Sequence, residues 1–366
     1  MWVNNLRRSL AFSICASSFL YSSTITAKNL GDDFSLYGKI SMAAIGQDGA
    51  QSLNNNSSRF GFKYKRDGLI EKFTTGLRAE FGINTSNTSQ SIQSIPNTTG
   101  RFQVDNTSDR PFSTRLAYLW IENGDFNATI GKNWSVWYDV TEMTDIFMVT
   151  GAFASSTFTA NSEVIGTSRG VDLLEFRYKI GDLHFGAQTK FTGDETAEYD
   201  SDGDGIDDAV LTLEHSIAAS LRIVKKNYKV GIAAINLNSN NNGVEIAKLS
   251  VTVGANYYFK NLFIAAVYGD TKDLELIDGR FVRTDNVEAI MGWRFNPFHQ
   301  IMIGYNWQTS DDDGLDDYEM SKILGSYMYT NDQYELGIEY VFDDSVDVSG
   351  MRPKNNQLIL GATMYF

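Results

Sequence analysis

The sequence predicts an all-β fold, an antiparallel transmembrane β-barrel of about sixteen strands. Three observations predict it. From Phe34 onward apolar residues recur with a period of two, and no 3.6-residue stripe competes with it. The segments are joined by connections that alternate between short and long, as hairpins with one tight and one elaborated end require. The chain closes on a strand, LILGATMYF, whose last residue is Phe366.

In chain order, residues 1–27 read as a removable targeting segment. Arg7 and Arg8 precede the apolar run LAFSICA at 10–16, and small residues lead to Ala27. Cleavage after Ala27 takes the formal charge from −14 to −16 and removes Cys15, the single cysteine. Disulfides, thiolate metal sites and a cysteine nucleophile are then excluded from residues 28–366, which read as one domain.

The strands are expected near 34–46, 57–66, 72–85, 113–123, 126–137, 168–180, 183–193, 209–225, 228–238, 244–259, 262–274, 281–295, 299–309, 320–330, 333–343 and 355–366. Phe60, Phe62 and Tyr64 share one face against Arg59, Gly61, Lys63 and Lys65. Leu77, Ala79 and Phe81 oppose Arg78, Glu80 and Gly82, and Tyr334, Leu336, Ile338 and Tyr340 oppose Glu335, Gly337 and Glu339. Segments 228–237 and 262–269 are apolar on both faces, which leaves their register open. Short turns fall at Gly124-Asp125, Gly181-Asp182 and Lys260-Asn261, and long connections at 47–56, 86–112, 138–167, 194–208, 239–243, 275–280, 310–319 and 344–354.

A soluble sandwich also alternates. The membrane barrel is favoured because nearly every polar face carries charges and glycines suited to a wet lumen. Aromatics also recur toward strand ends, among them Tyr37, Tyr118, Trp120, Tyr257, Tyr258, Phe259, Trp293, Phe295, Tyr327 and Tyr329, as an interfacial girdle would require. In lipid a β protein must close on itself, because every backbone polar group needs an internal partner. The acidic balance argues against nucleic acid.

The segment NATIGKNWSVWYDVTEMTD at 127–145 resembles the trimeric general porins of Gram-negative outer membranes. LYGKI at 36–40, SSRFGFKYK at 57–65, GLRAEF at 76–81, STRLAY at 113–118 and SRG at 168–170 follow in the matching order. The resemblance implies a third loop, about 138–167, folded into the lumen, with basic side chains on the wall opposite carboxylates on that loop. Lys39, Arg59, Arg115 and Arg169 fall on the basic wall by matching motifs, and Asp145 on an acidic loop position. A further wall lysine of the family is Ser113 here, and the second loop carboxylate is replaced by Val149, with Glu142 or Glu163 as substitutes. The loop tip, Ile146, Phe147, Met148, Val149 and Phe153, is apolar and either packs on the wall or narrows the pore.

The resemblance also implies a homotrimer in outer-membrane lipid and lipopolysaccharide, passing ions and small hydrophilic solutes passively. Size and charge would be filtered in the transverse field of the constriction. A solute-selective channel with a saturable site is the alternative. The acidic chain predicts a weak cation preference.

Enzymatic chemistry has no assembled group. His184, His215 and His299 lie on three distant strands, and no Gly-x-Ser-x-Gly or phosphate-binding glycine loop occurs. No cofactor is expected. Asp200, Asp202, Asp204 and Asp208 have the spacing of the first part of a Ca²⁺ loop, without its closing glutamate. They read either as a solvated external loop or as a Ca²⁺ or Mg²⁺ site. The same holds for the acidic run at 311–317.

Overall fold

The structure is a computed structural model that describes residues 28–29, 33–47, 49–85, 90–93, 103–106, 111–159, 162–191, 195–199, 209–241, 244–278, 280–312, 314–315, 317–353 and 355–366. The targeting segment 1–27 and the Asp200–Asp208 loop lie outside the described residues.

Alternating side chains dictate strands, and the strands form a closed ring of sixteen. They are β1 (Phe34–Gln47), β2 (Arg59–Ile70), β3 (Phe73–Ile83), β4 (Phe112–Asn123), β5 (Phe126–Trp134), β6 (Arg169–Ile180), β7 (Leu183–Lys190) and β8 (Ala209–Val224). They continue as β9 (Tyr228–Asn241), β10 (Val244–Phe259), β11 (Leu262–Ile277), β12 (Arg280–Asn296), β13 (His299–Thr309), β14 (Glu319–Thr330), β15 (Tyr334–Asp343) and β16 (Gln357–Tyr365). Each pairs antiparallel with its sequence neighbours. The ring closes where β16 pairs with β1, Lys39 opposite Tyr365 and Gln47 opposite Gln357. At that seam Gly38 and Phe366 exchange two backbone hydrogen bonds of 3.0 and 3.1 Å, and Ser41 and Thr363 share a hydroxyl contact of 2.6 Å. Shorter strands at Ala50–Asn55, Gln90–Gln93, Gln103–Asn106 and Glu195–Tyr199 belong to the loops.

The alternation is inverted relative to a soluble protein. On β16, Leu358, Leu360 and Met364 are exposed, and Ile359, Gly361 and Thr363 between them are buried. The outer face of β12 likewise shows Met291, Trp293 and Phe295. Among the described residues no helix is long and apolar enough to cross a membrane, so strands do the crossing.

Three expectations change. The external connections near 239–243 and 275–280 are tight, because β9 to β12 run 14 to 17 residues and carry their pairing up to Asn241 with Val244 and Ile277 with Arg280. Tyr37, Tyr118, Trp120 and Tyr258 belong to the lumen and not to the girdle. The Tyr37 hydroxyl bonds Glu80, Tyr118 and Trp120 stand opposite Arg78 and Gly76, and Tyr258 rests on the inward ring of Phe263. Tyr257, Phe259, Trp293, Phe295 and Tyr327 do face outward. His184 and His215 sit on neighbouring strands, yet toward opposite ends: His184 pairs with Arg222, seven residues along β8 from His215.

The double-sided apolar segments also find their reason. Tyr228, Val230 and Ile232 face out, and Ala233, Ile235 and Leu237 face in against Val136, Trp137 and Val140 of the third loop. The wall is apolar inside there because a loop covers it.

Candidate functional site

The third loop runs from β5 to β6 and carries two single-turn helices, α1 (Tyr138–Thr141) and α2 (Ser162–Ile165). It travels out and back along the inner wall. Wall glycines let it approach. A Cβ on Gly254 would stand 3.0 Å from Val140, one on Gly304 2.9 Å from Phe147, and one on Gly361 2.9 Å from the Met148 sulfur. Phe147 and Phe153 bury themselves among Phe263, Ile290 and Met302, so the apolar tip packs on the wall.

Inward carboxylates and amides then fix the loop's backbone. Glu339 accepts N–H bonds from Met148 (2.7 Å), Val149 (3.2 Å) and Thr150 (2.8 Å), and the Thr150 hydroxyl at 2.7 Å. Glu288 accepts from the Thr144 hydroxyl at 2.5 Å and Ala154 N–H at 2.9 Å. Gln188 accepts from Val136 N–H and donates to the Gly166 carbonyl. Buried loop N–H groups need such partners, and a charged acceptor is the strongest available. Sequence reading missed Glu288 and Glu339. The signal available was a carboxylate flanked by small or neutral residues on the inward face, Gly337-x-Glu339-x-Val341 and Asn286-x-Glu288-x-Ile290.

The loop covers the inner face of β7 to β16 and leaves the arc β1 to β6 facing the opening. On that arc stand the predicted basic residues. Lys39 and Arg59 are directly paired across β1 and β2. Arg115 sits at a register shift of β4, which puts it on the same side as Leu116 and toward Glu80. Glu80 on β3 is the hub. Arg115 Nε lies 3.0 Å from it, Arg59 Nε 3.6 Å and Arg78 3.0 Å, and the Tyr37 hydroxyl donates at 3.0 Å. Glu80, Arg78 and Tyr37 were not singled out as site residues, although Glu80 was read on the lumenal face.

Arg169, at the start of β6, lies 3.3 Å from Glu163 and 5.5 Å from the centre of the Trp134 ring. Lys132 also binds Glu163. The Trp134 ring stacks on Tyr138 at 4.1 Å, and the Tyr138 hydroxyl donates to Asp145 at 2.8 Å. Burial pushes the Asp145 carboxyl above its ordinary range. The Tyr138 hydrogen bond opposes this, as do the charges of Lys39 and Arg169 across the gap, whereas neighbouring Glu142 adds to it. Asp145 thus stands in the field of the basic wall. Glu142 faces elsewhere. It is 3.4 Å from Arg222 and 3.0 Å from Lys229, and Asp139 beside it pairs with Arg177 at 3.2 Å and Arg222 at 3.4 Å. The structure therefore brings Glu163 to Arg169, sets Asp145 in the field of Lys39 and Arg169, leaves Arg59 and Arg115 to Glu80, and turns Glu142 to a second basic group on β8 and β9. Among the described residues no group of three or more His, Cys, Asp or Glu is arranged to hold a metal ion.

A family model described as Gram-negative porin matches residues 10–355. The outer membrane porin PhoE of Escherichia coli K12 is 22% identical over 370 residues, 98% of each chain. The porin OmpD of Salmonella typhimurium LT2 is 26% identical over 258 residues, 63% of this chain and 68% of that one. Two solved structures share the fold. Salmonella typhi OmpF in complex with daunomycin superimposes with a TM-score of 0.68 at 19% identity, covering 91% of this chain and 97% of that one. The anion-selective porin from Comamonas acidovorans gives 0.67 at 13% identity, with 91% and 99% covered. The chain belongs to the Gram-negative porin family, integral β-barrel channels of the outer membrane.

Proposed function

We propose that the chain is a passive outer-membrane pore that filters ions and small hydrophilic solutes by size and charge at one eyelet. The observation that carries this reading is the division of the lumen. A wall-bound loop occupies the side formed by β7 to β16, and Lys39, Arg59, Arg115 and Arg169 stand across the remaining gap from Asp145. Such an arrangement lays a field across the narrowest opening, where partly dehydrated solutes feel it most. The charges line a wet opening and most of them are paired on the wall, so neutral solutes pass without being held.

The functional unit is a homotrimer seated in lipid and lipopolysaccharide; one related porin, OmpT of Vibrio cholerae, is described in a trimer form. Planar-bilayer recording tests the reading. Reconstituted protein should open in steps of three, with flux of neutral solutes rising linearly with concentration. Absence of conductance overturns it, and saturating flux of one neutral solute would assign a binding channel instead.

A further inference from the structure

Resting on the channel reading above, we propose that the eyelet selects small anions, and oxyanions above halides, although the chain as a whole is acidic. Where the charges stand decides this, and the whole-chain sum does not. One carboxylate, Glu80, serves three guanidinium groups, those of Arg59, Arg78 and Arg115. A second, Glu163, serves Arg169 and Lys132 together. Lys39 makes no ion pair among the described residues. The filter wall thus sets six cations against two carboxylates, and Asp145 across the gap supplies a third. Counting the next pair outward, Lys63 and Glu335, leaves this excess unchanged.

Among the described residues, several carboxylates outside the filter are engaged away from its wall. Glu288 and Glu339 are turned under the loop and satisfied by its N–H groups. Asp139 and Glu142 are matched by Arg177, Arg222 and Lys229. Asp311, Asp312 and Asp317 belong to the connection between β13 and β14, above the constriction. The net charge that predicted cation preference is therefore distributed so that the narrowest point is positive.

Donor geometry favours oxyanions. Arg59, Arg115 and Arg169 come from three strands, and the Arg115 guanidinium stands in the field of both others. The Nε groups of Arg59 and Arg169 are buried with no hydrogen-bond acceptor. A tetrahedral oxyanion offers several spaced acceptor oxygens and can engage two guanidinium groups bidentately, whereas chloride is a single spherical acceptor that cannot match the guanidinium fork.

The test is the reversal potential of the reconstituted full-length protein in a KCl gradient at low salt. We expect the sign for chloride, with a chloride-to-potassium permeability ratio of at least about five, the effect that even one of the three surplus charges has on a single ion near it in water. Inorganic phosphate or sulfate added at constant chloride should lower the chloride current saturably. Lys39→Glu, in a protein that still opens, should move the ratio toward unity. A reversal potential of zero or of the potassium sign overturns anion selection. Chloride preference with no saturable block overturns the oxyanion site. Absence of any conductance overturns the channel reading itself, so the two failures are distinct.

Discussion

At the scale of single residues, the eyelet is governed by shared partners. Glu80 holds three arginines, so neutralising it would leave them to repel one another in one patch of wall. Asp145 is a proton-sensitive carboxylate of the loop, because burial holds its carboxyl above the ordinary range. As pH falls, its charge is lost before those of ordinary carboxylates, and the eyelet becomes more positive. Tyr138, Glu142, Lys39, Arg169 and Glu288 on β12 are the titratable and charged groups that face it. Anion preference should therefore rise as pH is lowered into the carboxylate range, read as reversal potential against pH. Asp145→Asn should show the raised preference already at neutral pH and flatten the upper part of the profile. An unchanged profile would remove Asp145 from the filter.

Glu339 makes the second residue-scale prediction. It takes three loop N–H groups and one hydroxyl. Glu339→Ala should weaken docking of the loop tip by on the order of 3 kcal/mol, since several donors lose a charged acceptor at once. Single-channel traces should become noisier, with a larger mean conductance, while the barrel still folds. Quiet wild-type traces would show that apolar packing of Phe147 and Phe153 alone holds the tip.

At the scale of elements, strands and their facing were legible in the sequence because the period of two survives in almost every segment. The loop's resting place was less legible. Its seat is made by absences, such as the missing Cβ of Gly254, Gly304 and Gly361, and a glycine on an inward face reads equally well as lumen. The strand 228–237 was ambiguous for the same cause: its inward Ala233, Ile235 and Leu237 make sense only once Val140 is set against them. Arg115 was assigned to the lumen, but the register shift that lets it and Leu116 share a side was not readable. Tyr37 was placed in the girdle because ring position along a strand does not reveal which way the ring points. Gly361→Val places new bulk against Met148 and Val149. It should push the loop tip toward the basic wall and lower single-channel conductance severalfold, with the barrel retained by heat-modifiable migration in gels.

At the scale of the whole molecule, the acidic chain and the basic eyelet coexist because they are separated in space. Screening gives a prediction at this scale. The Debye length falls from about 10 Å at 0.1 M salt to about 3 Å at 1 M. The permeability ratio should therefore decline toward unity as salt is raised, and a salt-independent ratio would point to size as the only filter. Closure gives another. The seam rests on β1 with β16 and on the bonds between Gly38 and Phe366, and a Cβ at Gly38 would lie 2.4 Å from the Phe366 ring. Gly38→Val should lower the temperature at which the folded gel band is lost, because the ring then has an edge to open from.

The out-and-back course of the third loop has a consequence for biogenesis. The basic wall comes from residues 39–169, whereas most of the groups that clasp the loop run from Arg177 to Gly361, with Asn56 the early exception at the Met148 carbonyl. A chain assembling from its N-terminal strands would therefore own its charged filter before it owned most of what presses the loop against the wall. Until β16 meets β1, the lumen would be a wide, ungated trough, and only the final hairpins convert it into a sieve.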